Sequence, residues 1–188
     1  MYKKISGIKI PLSILFILII LVLFLLQFDW LWRLFYPLEH ETIIIRNAKL
    51  YDIDPYLIAA IIFVESKYIE EAESPRGALG LMQIMPNTGR WIAEQMGIEN
   101  FDVSDLLDPE INIMFGSWYI ANLKKQFADE VIMLAAYNAG RGNVVKWLEE
   151  RWDGKVNTID RLPFAETRNY IVQVNVVYER YRKIYDIK

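Results

Sequence analysis

The sequence predicts a mainly α-helical domain preceded by one apolar N-terminal helix that spans a membrane. Three observations carry this. A lysine-flanked apolar run occupies residues 10–26. Helix starts and stops then recur along the rest of the chain, with apolar residues at helical spacing between them. Strand-like alternation is scarce throughout.

From Ile10 to Leu26 the only side chain that is not apolar is Ser13. A helix from Ile8 to Leu26 would be about 28 Å long at 1.5 Å per residue, close to the thickness of a hydrocarbon core. Trp30, Trp32 and Tyr36 follow, where amphipathic rings favour the headgroup zone. Lys3, Lys4 and Lys9 precede the run, which puts the N-terminus in the cytoplasm and the domain outside, anchored in the cell membrane by a single pass. A cleaved signal peptide is the rival reading. The run is long for one, and Leu23 to Phe28 offers no small-x-small cleavage site. The expected organisation is residues 1–29 as cytoplasmic tip and anchor, 30–44 as juxtamembrane connector and 45–188 as the domain.

The first clear helix of the domain starts at Asp54-Pro55, an N-cap followed by proline at the first helical position, with Leu57, Ile58, Ile61 and Ile62 at helical spacing. Ile43 to Ile45 can open an earlier helix. Pro86 opens a second helix and Gly97 closes it. Asp108-Pro109 starts a long one ending near Phe127. Asp129 caps another that runs to Asn138, with Gly140 just past its end. A short helix is expected from Asn143 to Arg151 and a long one from Phe164 to about Tyr185. The latter carries Tyr170, Ile171, Val174, Val177, Tyr178 and Tyr181 on one face. Residues 70–85 and 152–162 read as irregular loops. Of Trp91, Trp118, Trp147 and Trp152, most read as packing residues.

Composition excludes several functions. The net charge is −3, and with the three N-terminal lysines set aside the remainder is more acidic still, without a basic patch for nucleic acid. There is no cysteine, hence no disulfide, thiol nucleophile or cysteine metal site. His40 is the only histidine and reads as a linker residue. Neither a metal nor a cofactor is expected. Gly77 and Gly80 make no phosphate loop, because no Gly-Lys-Ser/Thr follows.

Glu65 stands out. It lies seven, four and three residues after Ile58, Ile61 and Ile62, so its carboxylate shares their apolar face. Desolvation raises a carboxyl's pKa, and a carboxyl still protonated near neutrality can serve as a general acid. A helix-end glutamate reaching solvent or a cation is the bland alternative.

Four segments occur in order: Glu65-Ser66, Gly77-x-x-Gly80-Leu81-Met82-Gln83, Ala136-Tyr137-Asn138-Ala139-Gly140 and Glu166-Thr167-x-x-Tyr170. Each alone is ordinary. Together they resemble the catalytic domain of the soluble-lytic-transglycosylase family, related to goose-type lysozyme, over roughly residues 45–185. The resemblance implies a lysozyme-like domain with a groove for peptidoglycan strands. It implies that Glu65 acts alone, first as acid and then as base, leaving a 1,6-anhydro-N-acetylmuramic acid end. It further implies that Gln83, Tyr137 and Asn138 line the groove, that Ser66 binds substrate, that Met82 forms groove wall and that Tyr170 orients the carboxyl. Glu166 reads as part of the last helix's cap, and as the acid to test first if a second carboxylate takes part. A hydrolytic muramidase of the same fold, a wall-binding protein without turnover and a membrane-anchored helical interaction protein are the rival readings.

Overall fold

A computed structural model describes residues 11–25 and 29–187. The chain divides into two compact units, 1–37 and 38–188.

In the first unit, α1 (Leu12–Leu25) and α2 (Asp29–Phe35) are helical. Ser13 is the only polar side chain of α1, so no face of it is reserved for solvent. At 14 residues α1 is about 21 Å long. Among the described residues no helix is long and apolar enough to cross a membrane. Residues 10 and 26, the two ends of the apolar run read as an anchor, lie outside the described residues.

The second unit holds α3 (Glu41–Tyr51), α4 (Pro55–Ser66), α5 (Pro86–Met96), α6 (Pro109–Gln126), α7 (Glu130–Ala139), α8 (Arg141–Glu150) and α9 (Ala165–Ile184). Single 3₁₀ segments span Val103–Leu107 and Val156–Arg161. Among the described residues there is no strand, only isolated bridges between Leu79 and both Glu73 and Ile84.

The unit is built around α4. Its residues from Leu57 to Ile62 are all buried, which uses its full circumference, not one stripe. Helix α9 packs along α4 and also against α7, while α3 and α5 pack on α6. Each fully buried Ile or Leu of this core contributes about 1.5–3 kcal/mol through the apolar surface it removes from water. Asp54 sets the α4–α9 register with both carboxylate oxygens. One accepts from the Tyr56 N–H at 2.9 Å and caps α4; the other accepts from the Tyr178 hydroxyl of α9 at 2.8 Å.

Three local differences from the sequence reading have plain causes. Helix α3 starts four residues inside the stretch read as connector, at Glu41, and its Ile44 is fully buried. Three consecutive isoleucines carry no helical period that would reveal it. Helix α8 begins at Arg141, two residues early, because Gly140 (φ 88°, ψ 144°) ends α7 and starts α8 in one residue. The 152–162 loop contains a 3₁₀ segment and is pinned by buried Trp152, whose indole N–H donates to the Lys155 carbonyl. Of the four tryptophans, Trp147 and Trp152 are buried, and Trp91 and Trp118 are only half-buried.

Candidate active site

Helix α4 stops just past Glu65. Lys67 and Tyr68 both adopt positive φ, and the Lys67 N–H closes on the Phe63 carbonyl. Glu65 therefore sits in the last turn, half-buried, at the mouth of a cleft.

The opposite wall is the 73–85 loop, which is tightly specified. Gly77 and Gly80 take positive φ, and Ser74 accepts the Ala78 N–H on its hydroxyl. Buried Asn112 of α6 holds the loop's centre. Its amide donates to the carbonyls of Leu79 and Leu106, and its oxygen accepts the Met82 N–H at 2.7 Å. A Cβ on Gly80 would lie 2.1 Å from the Leu106 carbonyl oxygen, so only glycine lets the loop approach Asn112 this closely. Tyr137 of α7 clamps the loop by donating to the Met82 carbonyl at 2.8 Å.

Gln83 has φ 49°, a left-handed conformation uncommon for a residue with a side chain. Its amide group donates to the carbonyls of Ala72 and Gly80, at 3.0 and 2.9 Å. The carboxamide oxygen accepts no hydrogen bond among the described residues. Asn138 accepts from the buried Thr167 hydroxyl at 2.7 Å, which fixes its orientation.

The cleft encloses about 480 Å³ and is lined by Glu65, Ser74, Pro75, Arg76, Ala78, Gln83, Met85, Tyr137, Asn138 and Glu166. Size does not single it out, since depressions of about 400 Å³ lie elsewhere on the surface. Its electrostatics do. Burial pushes the Glu65 carboxyl up, nearby Glu166 pushes it further, and the Tyr170 hydroxyl holds it down; the pKa comes to about 7. Tyr170, of α9, is buried behind the cleft with its ring parallel to that of Tyr137, centroids 6.4 Å apart. Its hydroxyl makes no hydrogen bond of full geometry, so the interaction with Glu65 is looser than a formed bond. Burial pushes both tyrosine hydroxyls well up, which keeps them as neutral donors.

The structure thus brings Glu65, Gln83, Tyr137 and Asn138 into one cleft, with Tyr170 behind it. It does not bring Ser66 or Met82 there. Ser66 is buried, and its hydroxyl donates back to the Ile62 carbonyl one turn earlier. Met82 is fully buried, and a Cβ on Gly116 of α6 would come within 2.2 Å of its sulfur. The exposed methionine of the cleft is Met85. Glu166 sits in the first turn of α9, and there it also lines the cleft and pairs with Arg76 at 3.3 Å. The sequence held a signal for Glu166, one helical turn before Tyr170. It held none for Met85, because the left-handed Gln83 before it breaks any strand spacing. His40 Nε2 lies 3.1 Å from the Glu70 carboxylate, away from the cleft.

A helical domain with one carboxyl held near neutrality in an open polar cleft has the layout of a general-acid enzyme. The chain belongs to the transglycosylase SLT domain family, whose sequence model matches residues 42–159. It is 35% identical over 151 residues to the soluble lytic murein transglycosylase of Salmonella typhimurium, covering 78% of this chain and 23% of that protein. It is 32% identical over 172 residues to membrane-bound lytic murein transglycosylase C of Actinobacillus pleuropneumoniae, covering 78% of this chain and 46% of that one. The crystal structure of the 70 kDa soluble lytic transglycosylase of Escherichia coli matches its fold with a TM-score of 0.72 at 34% identity, over 79% of this chain and 25% of that chain. The chain therefore spans about a quarter of the soluble relatives and under half of the membrane-bound one.

Proposed function

We propose that this chain is a peptidoglycan lytic transglycosylase with Glu65 as its only catalytic carboxyl. The observation that carries the reading is the Glu65 carboxyl in the cleft wall with its pKa raised to about 7. The neutral carboxyl donates its proton to the oxygen linking N-acetylmuramic acid to the next N-acetylglucosamine, and the C1–O bond breaks. The N-acetyl carbonyl of the same muramic acid carries the positive charge at C1. Glu65, now ionised, removes the proton from that sugar's C6 hydroxyl, whose oxygen bonds to C1 and closes the 1,6-anhydro ring. The proton returns to Glu65, and no water is consumed. A pKa near 7 suits both halves, because the group must lose and regain one proton at working pH.

The surroundings support the assignment. Gln83 offers a fixed acceptor and Asn138 a fixed amide to sugar hydroxyl and N-acetyl groups. Tyr170 offers a donor that gains strength when Glu65 ionises.

Hydrolysis is the second reading, and Glu166 is the observation that favours it. Two-carboxylate glycosidases use the second carboxylate as nucleophile or base, and Glu166 shares the cleft. Its pairing with Arg76 and its exposure favour a binding role instead. Mass spectrometry of digested sacculi tests the choice. Fragments ending in 1,6-anhydro-N-acetylmuramic acid are expected, lighter by one water than muramidase products. Reducing ends as the dominant primary product would make the enzyme a hydrolase. The Glu65→Gln chain should lose turnover by at least about 10²–10⁴.

The anchor belongs to the same proposal. The apolar run from Ile10 to Leu26 and the three lysines before it support an uncleaved, single-pass segment with the domain outside the cytoplasmic membrane. One relative is named as membrane-bound. The protein should stay with membranes through a high-salt wash and keep its N-terminus. N-terminal sequencing that started beyond residue 26 would rule the anchor out.

A further inference from the structure

A series of aromatic rings leads out of the cleft from Tyr137. The Tyr119 ring lies 5.6 Å from that of Tyr137, and the Trp91 ring lies 6.1 Å from Tyr119. Trp118 meets Trp91 edge-on at 5.4 Å. The guanidinium of Arg141 lies over the Trp91 ring, 4.6 Å from its centroid. Tyr119, Trp91, Trp118 and Arg141 are all half-buried, so the cluster is packed from below and open above.

Arg141 is placed for recognition and lacks a partner of its own. The indole lies against the guanidinium, with the Arg141 Cζ over its ring, as a cation–π contact. Among the described residues the Arg141 N–H groups meet no carboxylate and donate to no protein acceptor, whereas Arg76, Arg46, Arg151 and Arg182 each have an acid. A planar cation held on an aromatic shelf without an acid of its own is built to take a carboxylate through two parallel hydrogen bonds.

The glycan that fills the cleft has neutral sugar rings. Its carboxylates are on the peptide stems attached to muramic acid. The ring series leads from Tyr137 in the cleft wall to Arg141, so the cation stands beside the cleft and not within it.

We infer that Arg141 on its Trp91 shelf binds a carboxylate of the peptide stem, so that the protein prefers stem-bearing over bare glycan. The inference rests on the glycan-cleaving reading of the cleft. Binding is therefore measured apart from turnover, in the full chain carrying Glu65→Gln, by tryptophan fluorescence or calorimetry. Three probes are compared: N-acetylglucosaminyl-N-acetylmuramoyl tetrapeptide, the same compound with its peptide carboxylates amidated, and the disaccharide without peptide, its lactyl carboxyl capped as the methylamide. The free acid should bind about tenfold tighter than the other two. With Arg141→Gln that ratio should fall to about one, and with Arg141→Lys, which keeps the charge but not the planar fork, to an intermediate value. A ratio that survives Arg141→Gln, an amidated peptide that binds as tightly as the acid, or a ratio near one before any change at Arg141 would each overturn the inference. Failure of the wild-type chain to cut sacculi would instead overturn the catalytic reading.

Discussion

The buried Tyr170 hydroxyl faces the Glu65 carboxyl with no completed hydrogen bond of its own, and it lowers the carboxyl's pKa against the burial that raises it. The pair joins α9 to the last turn of α4. A donor left unspent while the carboxyl is neutral gains most when the carboxyl becomes an anion, as the acid-then-base sequence requires. Tyr170→Phe removes it. The rate should fall by about 10–100-fold. The basic limb of the pH–rate profile should move to higher pH, because the interaction that held the Glu65 pKa down is gone. Full activity with an unmoved limb would remove Tyr170 from the mechanism.

Glu166 acts on the same carboxyl with the opposite sign. Its negative charge raises the Glu65 pKa, and its pairing with Arg76 tempers that charge. Glu166→Gln should move the basic limb to lower pH, and Arg76→Gln should move it to higher pH. Below the limb Glu166→Gln should lose less than about tenfold, since its carboxylate makes and breaks no bond in the anhydro-forming route. A loss matching that of Glu65→Gln would point to the two-carboxylate reading.

The sequence carried most of the helical frame because its punctuation is local. Asp54, Asp108 and Asp129 each cap a helix through their own carboxylate, as their positions predict. Glu65 was legible for the same reason, since its offset from three isoleucines is a property of one helix. What was illegible depends on other elements. Met82 follows two glycines in a motif, but Asn112, thirty residues later, takes its N–H and turns that segment into the core. Ser66 adjoins the acid, yet a helix sends neighbouring side chains about 100° apart, so the face that exposes Glu65 buries Ser66. The Trp91–Arg141 shelf joins α5 to α8, and no sequence spacing relates them.

The loop opposite Glu65 depends on Gly80 more than on Gly77, although both have positive φ. A methyl at Gly80 meets the Leu106 carbonyl and the Asn112 side chain, whereas at Gly77 it meets nothing within 4 Å. Gly77→Ala should cost only the backbone strain, about 1 kcal/mol. Gly80→Ala should cost about 3 kcal/mol or more, because a backbone carbonyl cannot step aside without breaking the Asn112 bonds. Urea unfolding of the two variants measures the gap, and equal losses would mean that the loop has another way to relax.

The raised pKa of Glu65 also appears in the stability of the fold. With the carboxyl at about 7 in the native state and at 4.5 in the unfolded chain, the native protein binds more protons between those values. Stability tied to this group is therefore complete below pH 4.5, falls as pH rises to 7, and stays at its reduced level above. Each tenfold change in a group's acid constant between the two states corresponds to about 1.4 kcal/mol, and at a half-open cleft solvent screening leaves only part of that. Glu65→Gln has no proton to lose. The variant should gain on the wild type steadily from pH 4.5 to 7, and the difference should then level off. Other titrating groups are common to both chains and cancel in the comparison. Urea midpoints of the two chains in the same detergent, taken at intervals from about pH 4 to about pH 8.5, give the curve directly. A difference that is flat across the range would mean that Glu65 keeps an ordinary carboxylate pKa, and the general-acid role would have to pass to another group.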